Sequence, residues 1–346
     1  MNISTVFSSP LFQVISGLVV LIIIHELGHF LAARFFKVEV EEFGIGFPPR
    51  MTKLFEAGGT QFTLNWIPLG GFVRLKGEND PNVPGGLAAA NPWVRLAVLS
   101  AGPVMNLALG VVLSVLLFYS LGEPVLDQVQ VQDVSPGSPA AQAGLQVGDL
   151  ITKVEGQAAQ NVDNLQKLIY ARLGQPTQLT YQRGDQVFEV TLTPRNPPPE
   201  DGAIGIRMGY PTRPTTWSRA IPNGIGATVE YVKSVLLLPV RIAQGQVSPE
   251  EARPVGYKGM IDIYQQIQNP LYFFMVITIS LGIFNLLPIP ALDGGRILFT
   301  LPEIVLHRRV PAKYENAIHL VGFSLLLLLL IYINLQDFIN PIQLPK

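Results

Sequence analysis

Two histidines and a glutamate lie within the apolar stretch LIIIHELGHF, residues 21 to 30. Polar and ionisable groups cost about 2–3 kcal/mol or more each in such surroundings, so their presence indicates a function. On a helix, His25 and His29 are one turn apart and project from the same face toward a common point. Glu26 lies beside that face, where its carboxylate can take a proton from a water that attacks a carbonyl. The spacing predicts half of a zinc site with a general base; buried, hydrogen-bonded histidines are the alternative.

A catalytic zinc has three protein ligands and one open position, so a third ligand must come from elsewhere in the chain. The chain has no cysteine, which restricts the ligand to nitrogen or oxygen. The candidates are His307, His319 and any buried carboxylate. Asp293 is preferred, because it is the acidic residue of FNLLPIPALDGGR at the end of an apolar segment. His307 is flanked by Arg308 and Arg309, and the apolar surroundings of His319 suggest ordinary packing.

The composition predicts that the elements carrying these residues cross a membrane. Of 346 residues, 48% are hydrophobic and 14% are charged. Four segments reach the roughly 20 apolar residues that a spanning helix needs: 11–36, 93–121, 271–292 and 314–335. A cleaved signal peptide is the alternative for the first segment, but no basic residue precedes it. The net charge of −1 without a basic cluster argues against a nucleic-acid partner.

The distribution of lysine and arginine predicts the orientation of these segments. Basic residues concentrate in residues 37–92 and 296–313, which are therefore expected to be cytoplasmic. Residues 122–270 and both termini then lie outside the cytoplasm. His25 lies roughly 21 Å along the first helix, toward its cytoplasmic end. The third span runs in the same direction, so Asp293 is expected at the same depth.

The connecting segments predict two further structures. Residues 43–77 combine glycine and proline with short alternating runs, which favours a membrane-associated β hairpin. Residues 122–210 read as a small α+β domain, and SPAAQAGLQVGDLI within them resembles a PDZ domain. Such a domain either binds a peptide or chain terminus as an added strand, here beside a helix at 161–173, or excludes large substrates. Residues 211–270 are expected to form an amphipathic linker helix region, on the membrane or in the core.

Taken together, the motifs resemble the site-2 protease family of intramembrane zinc metalloproteases, of the bacterial regulator of sigma-E protease type. HELGH at 25–29, PLGGFVRLKGE at 68–78, AGPVMN at 101–106 and NLLPIPALDGG at 285–295 follow the order of the family. The resemblance implies that His25, His29 and Asp293 bind Zn²⁺, with Glu26 as general base. It also implies that Asn106 and Asn285 are polar intramembrane residues near the substrate, where either could support the oxyanion.

The expected architecture is a mainly α-helical membrane protein with four transmembrane helices, a β hairpin loop and one inserted extracytoplasmic PDZ domain. We expect helices 1 and 2 in residues 1–121, the PDZ domain in 122–210, the linker in 211–270, and helices 3 and 4 in 271–346. By resemblance, the substrates are single-pass membrane proteins, such as anti-sigma factors or signal-peptide remnants, cleaved in the lipid bilayer of a bacterial inner membrane. Two departures concern the substrate entrance: many family members have two PDZ domains, and RPVGYKG at 253–259 matches the family motif loosely.

Two other classes of protein share some of these features. A PDZ scaffold would bind peptide tails without needing zinc. A transporter would use intramembrane histidine and aspartate as a proton relay, but four spans without an inverted repeat argue against it. Metal analysis of the purified protein separates the scaffold from the enzyme.

Overall fold

A computed structural model describes residues 7–248, 252–267 and 269–342. The two chain ends, predicted to be extracytoplasmic, lie outside these residues. By its internal contacts the chain divides into two compact units. The first, called the membrane unit, comprises the chain up to Leu117 and from Ile221 onward; the second, called the inserted unit, comprises Phe118–Ala220.

The membrane unit is built mainly from helices. Among the described residues, three are long and apolar enough to cross a membrane: α1 (Pro10–Phe35), α2 (Pro92–Leu121) and, near the end of the chain, Ala312–Ile339. The α1 helix begins where the hydroxyl of Ser9 accepts a hydrogen bond from the backbone N–H of Phe12 at 3.3 Å, with Pro10 at the first helical position. These helices show that the chain is a membrane protein.

The predicted span at 271–292 is a helix of 17 residues, Pro270–Leu286. It ends before Pro288 and Pro290, because proline lacks the N–H that would continue the helix. The chain then starts a new helix, Asp293–Leu306, which the sequence did not predict. The presence of four spans therefore stays a prediction.

A long β hairpin separates α1 from α2. Its strands are β1 (Val40–Ala57) and β2 (Thr60–Leu75), joined by Gly58 and Gly59, both with positive φ. The hairpin folds back on itself, so that Phe43 pairs with both Phe62 and Val73. The predicted hairpin is thus present and longer than the alternating runs suggested.

The inserted unit is a small α+β domain. Its strands are β3 (Glu123–Pro124), β4 (Val129–Val134), β5 (Leu150–Val154), β6 (Gln157–Ala158), β7 (Thr177–Arg183), β8 (Gln186–Leu192), β9 (Ile206–Gly209) and β10 (Thr212–Arg213), with helices α3 (Pro139–Gln142) and α4 (Val162–Tyr170). The main sheet runs β8-β7-β5-β4-β9, and β6 pairs with β5. Asn161 caps α4 as predicted, accepting from the N–H of Asn164 at 2.8 Å. A groove of about 320 Å³ separates α4 from β9.

The region predicted as an amphipathic linker contains several helices: α5 (Trp217–Leu236), α6 (Leu238–Ala243) and α7 (Tyr257–Gln266). Tyr231, Val232 and Val235 on one face of α5 pack against the helix Pro270–Leu286, and its Val229 is exposed. Core packing therefore explains one face of this stretch. The remaining helices are α8 (Pro270–Leu286), α9 (Asp293–Leu306) and α10 (Ala312–Ile339).

Candidate active site

Three of the predicted side chains meet in the membrane unit. His25 and His29 lie one turn apart on α1, and Asp293 is the first residue of α9. The Nε2 atoms of the two histidines are 3.1 Å apart, and the Oδ2 atom of Asp293 lies 3.0 Å from that of His25 and 3.4 Å from that of His29. Four tetrahedral bonds of about 2.0–2.1 Å would separate ligand atoms by about 3.3 Å, so the spacing fits zinc.

The hydrogen bond at Nδ1 of His29 decides which nitrogen of that ring faces the other two side chains. The Nδ1 atom of His29 lies 2.8 Å from the carbonyl oxygen of Val98 and donates to it. The neutral ring then carries its lone pair on Nε2, directed at His25 and Asp293. Such a backbone bond to Nδ1 is the usual way in which a protein orients a metal-binding histidine. The group thus presents lone pairs toward one point and suits a cation.

Glycines on the facing helices make room for this group. A Cβ atom on Gly102 of α2 would lie 2.3 Å from Nε2 of His29 and 2.8 Å from Nε2 of His25. A Cβ atom on Gly28 of α1 would lie 2.4 Å from the carbonyl oxygen of Ala101. The two helices can therefore approach closely beside the imidazoles only because these positions lack side chains.

Glu26 lies between the cluster of His25, His29 and Asp293 and the hairpin. Its carboxylate is close enough to His29 and Asp293 to interact with them electrostatically, and it meets the backbone N–H of Val73 on β2. A Cβ atom built on Gly71 would come within 3.7 Å of Cγ of Glu26. The carboxylate is therefore placed where a base would be needed, next to an edge of the hairpin sheet.

The two predicted asparagines occupy different positions. The side chain of Asn106 is 1% exposed and lies behind His25, with Nδ2 3.3 Å from the Nδ1 atom of that ring. It contacts a histidine instead of open space, because α2 packs this face against α1 and α8; the hydroxyl of Thr278 donates to the Asn106 carbonyl. Asn285 is half-buried near the end of α8, and its amide nitrogen donates to the carbonyl of Leu281.

The other candidate ligands are not part of the group. His307 is exposed at the end of α9. The Nδ1 atom of His319, on α10, accepts a hydrogen bond from the backbone N–H of Ala291 at 2.8 Å, two residues before Asp293. The sequence does not predict the bond of His29 to the Val98 carbonyl or the bond of His319 to Ala291. For the space beside Gly102, the glycine within AGPVMN was the one available indication.

Comparison with known proteins identifies the chain. The profile of peptidase family M50 matches residues 13–329. This chain belongs to the M50 family, the site-2 protease family. It is a membrane zinc metalloendopeptidase, and its His25, His29 and Asp293 form a group that could hold a metal ion.

Bacterial relatives of this M50 peptidase match over nearly their whole length. A protein of Clostridium perfringens, named as a zinc metalloprotease, is 33% identical, and the match covers 93% of this chain and 96% of that one. A protein of Campylobacter jejuni with the same kind of name is 32% identical over 92% and 90% of the two chains. Among solved structures, the PDZ domain of an SdrC-like protein from Listeria monocytogenes aligns with 25% of this chain and 92% of that one, at 27% identity and a TM-score of 0.22.

Proposed function

We propose that this M50 peptidase performs regulated intramembrane proteolysis, cutting single-pass membrane proteins within or near their transmembrane segments. In this proposal His25, His29 and Asp293 hold the zinc, and Glu26 is the general base. The observation that carries the proposal is the convergence of these ligands, from distant parts of the chain, on a site between helices that are apolar enough to span a bilayer.

The chemistry divides between the metal and the chain. Zinc, when bound, polarises the scissile carbonyl and makes water a stronger nucleophile near neutral pH. Glu26 takes the proton of the attacking water and delivers it to the leaving amine. His29 directs the lone pair of its neutral ring toward the metal position, because its Nδ1 donates to the carbonyl of Val98. Asn285, half-buried near the end of α8, remains our proposed support for the substrate or the oxyanion.

The substrate must expose its backbone to react, because the peptide groups of a helix bond to one another and are sterically closed. Residues 71–75 of β2 pair with 40–45 on one side, and the N–H of Val73 faces Glu26 on the other. An unwound substrate segment can therefore pair along this stretch and present a carbonyl beside Glu26.

The inserted unit contributes to substrate choice in the proposal. Its groove has apolar residues of α4 on one side and residues 203–208 on the other, and β9 pairs with β4 alone among the described strands. Such an edge accepts a peptide or chain terminus as an added strand. Exclusion of bulky substrates is the other way in which this unit would act. From the distribution of basic residues, we propose that the protein lies in a bacterial inner membrane with the inserted unit outside the cytoplasm. The zinc site then lies toward the cytoplasmic side.

The test uses the full-length protein in detergent or liposomes with a panel of single-pass membrane substrates, with and without a zinc chelator, and the cuts are mapped by mass spectrometry. Native protein is expected to cut within or near the apolar segments, and the chelator to stop it. Glu26→Gln should abolish cleavage and retain zinc, whereas His25→Phe and Asp293→Ala should lose both. Glu41→Gln, a change to an exposed carboxylate of β1, is the matched control. Full activity of Glu26→Gln would refute the assignment of the base.

A further inference from the structure

The backbone next to Asp293 is held from α10 at two points. The N–H of Ala291 donates to Nδ1 of His319 at 2.8 Å. One turn further along α10, a Cβ atom on Gly322 would lie 2.4 Å from Cβ of Pro290 and 3.0 Å from its carbonyl oxygen. His319 and Gly322 are three residues apart and share one face of the helix. That face is therefore fitted to residues 290–291 by a hydrogen bond and by close contact.

The segment that this face holds is conformationally unusual. Ala291 has φ +76°, a conformation that is unfavourable for a non-glycine residue and persists only where neighbours enforce it. Its amide is partly buried, and an N–H without a partner there is unfavourable. The ring nitrogen of His319 satisfies that amide, so losing the imidazole removes a restraint on the backbone that aims Asp293.

We propose that His319 is a positioning residue of the zinc centre, which acts by accepting the Ala291 N–H and thereby fixing the backbone from which Asp293 reaches the metal. Gly322 is the second part of this device, because it leaves the room that Pro290 occupies. The inference rests on the proposed role of Asp293 as a zinc ligand. His319 itself lies outside the group of converging ligand atoms among the described residues.

The inference makes the position of the acceptor atom testable. The Oδ1 atom of asparagine reaches about as far from the backbone as Nδ1 of histidine, whereas Oε1 of glutamine reaches about as far as Nε2. His319→Asn can therefore keep the bond to Ala291, and His319→Gln cannot keep it in the same geometry. The two variants introduce the same chemical group and differ in its reach.

The experiment measures the zinc dissociation constant of the full-length protein in detergent by competition with a chelator. We expect His319→Leu and His319→Gln to weaken zinc binding at least tenfold, within the range that supporting residues contribute, and His319→Asn to stay within about threefold of native protein. Gly322→Ala should weaken binding similarly. Ser324→Ala, at an exposed position of the same helix, is the control and should change nothing.

Two measurements separate this role from general destabilisation and from failure of the proposed function. The thermal midpoint of the zinc-free protein should be alike in His319→Asn and His319→Gln, so a gap in zinc affinity between these two cannot come from folding. Asp293→Ala is measured in parallel. If it loses zinc while His319→Leu and His319→Gln bind as native protein does, the positioning role is wrong and the ligand set stands. If Asp293→Ala retains native affinity, both proposals fail.

Discussion

At the scale of single residues, the side chain of Asn106 lies beside Nδ1 of His25, one of the proposed zinc ligands. When Nε2 of His25 faces a metal, Nδ1 carries the proton and needs an acceptor. The amide of Asn106 provides one if its oxygen faces the ring, and oxygen and nitrogen of an amide exchange places by a simple rotation. The oxygen, as placed away from the ring, has no partner among the described residues, which favours the rotated orientation.

This bond predicts a role for Asn106 in metal affinity. Asn106→Leu keeps the volume of the side chain but removes the acceptor, so we expect zinc to bind about 10–100-fold more weakly. Chelator competition on the purified protein measures this change. Ser114→Ala removes another buried polar group of α2, which bonds to Thr228 away from the histidines, and should leave zinc affinity unchanged. Equal affinity in native protein and Asn106→Leu would show that the bond to His25 contributes nothing.

Residue types alone were informative about the ligands and less so about their supports. His25, His29 and Asp293 were singled out because an HExxH spacing and a lone acid in an apolar segment have few other uses, and the structure brings them together. The resemblance predicts Asn106 near the substrate, and this stays a prediction; the structure adds that its amide lies beside Nδ1 of His25. The direction of a buried side chain depends on which helices pack around it, and this information is not contained in the local sequence.

At the scale of elements, the close approach of α1 and α2 depends on glycine. Gly102→Ala would place a methyl group 2.3 Å from Nε2 of His29, beside the proposed metal position. We expect this variant to fold and to lose zinc and proteolysis together, as measured by metal analysis of the purified protein.

Gly110→Ala is the matched control for Gly102→Ala, because it crowds the same helix elsewhere. Its Cβ atom would lie 2.3 Å from Cγ1 of Ile279 on α8. Overpacking of this kind costs about 1–3 kcal/mol of stability and should leave the zinc content of the folded protein unchanged. Retention of zinc by Gly102→Ala would contradict the steric explanation.

The sequence predicts some helices and strands more accurately than others. Long apolar helices are the strongest signal a sequence carries, and α1, α2 and α10 correspond closely to three predicted segments. The helix α9 was missed, because it begins at Asp293 directly after two prolines that indicate a break. The hairpin was found but its length was not, since register shifts interrupt the alternation on which strand prediction depends.

At the scale of the whole molecule, the end of the chain stabilises a helix that lies 80 residues earlier. Asp337 on α10 is fully buried and accepts hydrogen bonds from the N–H groups of Gly256 at 2.8 Å and Gly259 at 3.1 Å, and from Arg253 at 2.9 Å. The N-terminus of α7 has no side-chain cap of its own from Gly256. A distant carboxylate thus caps α7, in agreement with the preference of helix N-termini for negative charge.

Loss of this cap should be measurable as a local opening. Asp337→Ala leaves two backbone amides without their acceptor and leaves Arg253 with only the carbonyl of Asn340, so we expect a destabilisation of about 2–4 kcal/mol. Hydrogen exchange should become faster at residues 256–260. Asp337→Asn retains one acceptor oxygen and should show a smaller effect. Unchanged exchange in Asp337→Ala would mean that packing alone holds α7.

The division into two units predicts that the stability of the inserted unit and the metal affinity of the membrane unit vary independently. Asp149 is 1% exposed and accepts two hydrogen bonds from Arg183 at 2.7 Å, and these bonds hold the pKa of the Arg183 guanidinium above its usual value. Asp149→Ala should destabilise the inserted unit by about 1–3 kcal/mol, because it leaves the backbone N–H of Gln146 without its acceptor. Limited proteolysis of the full-length protein should then cut within residues 118–220 at a lower temperature than in native protein.

Asp185→Ala, a change in an exposed turn of the same unit, is the control and should be cut at the same temperature as native protein. Both variants should bind zinc with native affinity, because the proposed ligands His25, His29 and Asp293 all belong to the membrane unit. A loss of zinc in Asp149→Ala would show that the two units are energetically coupled.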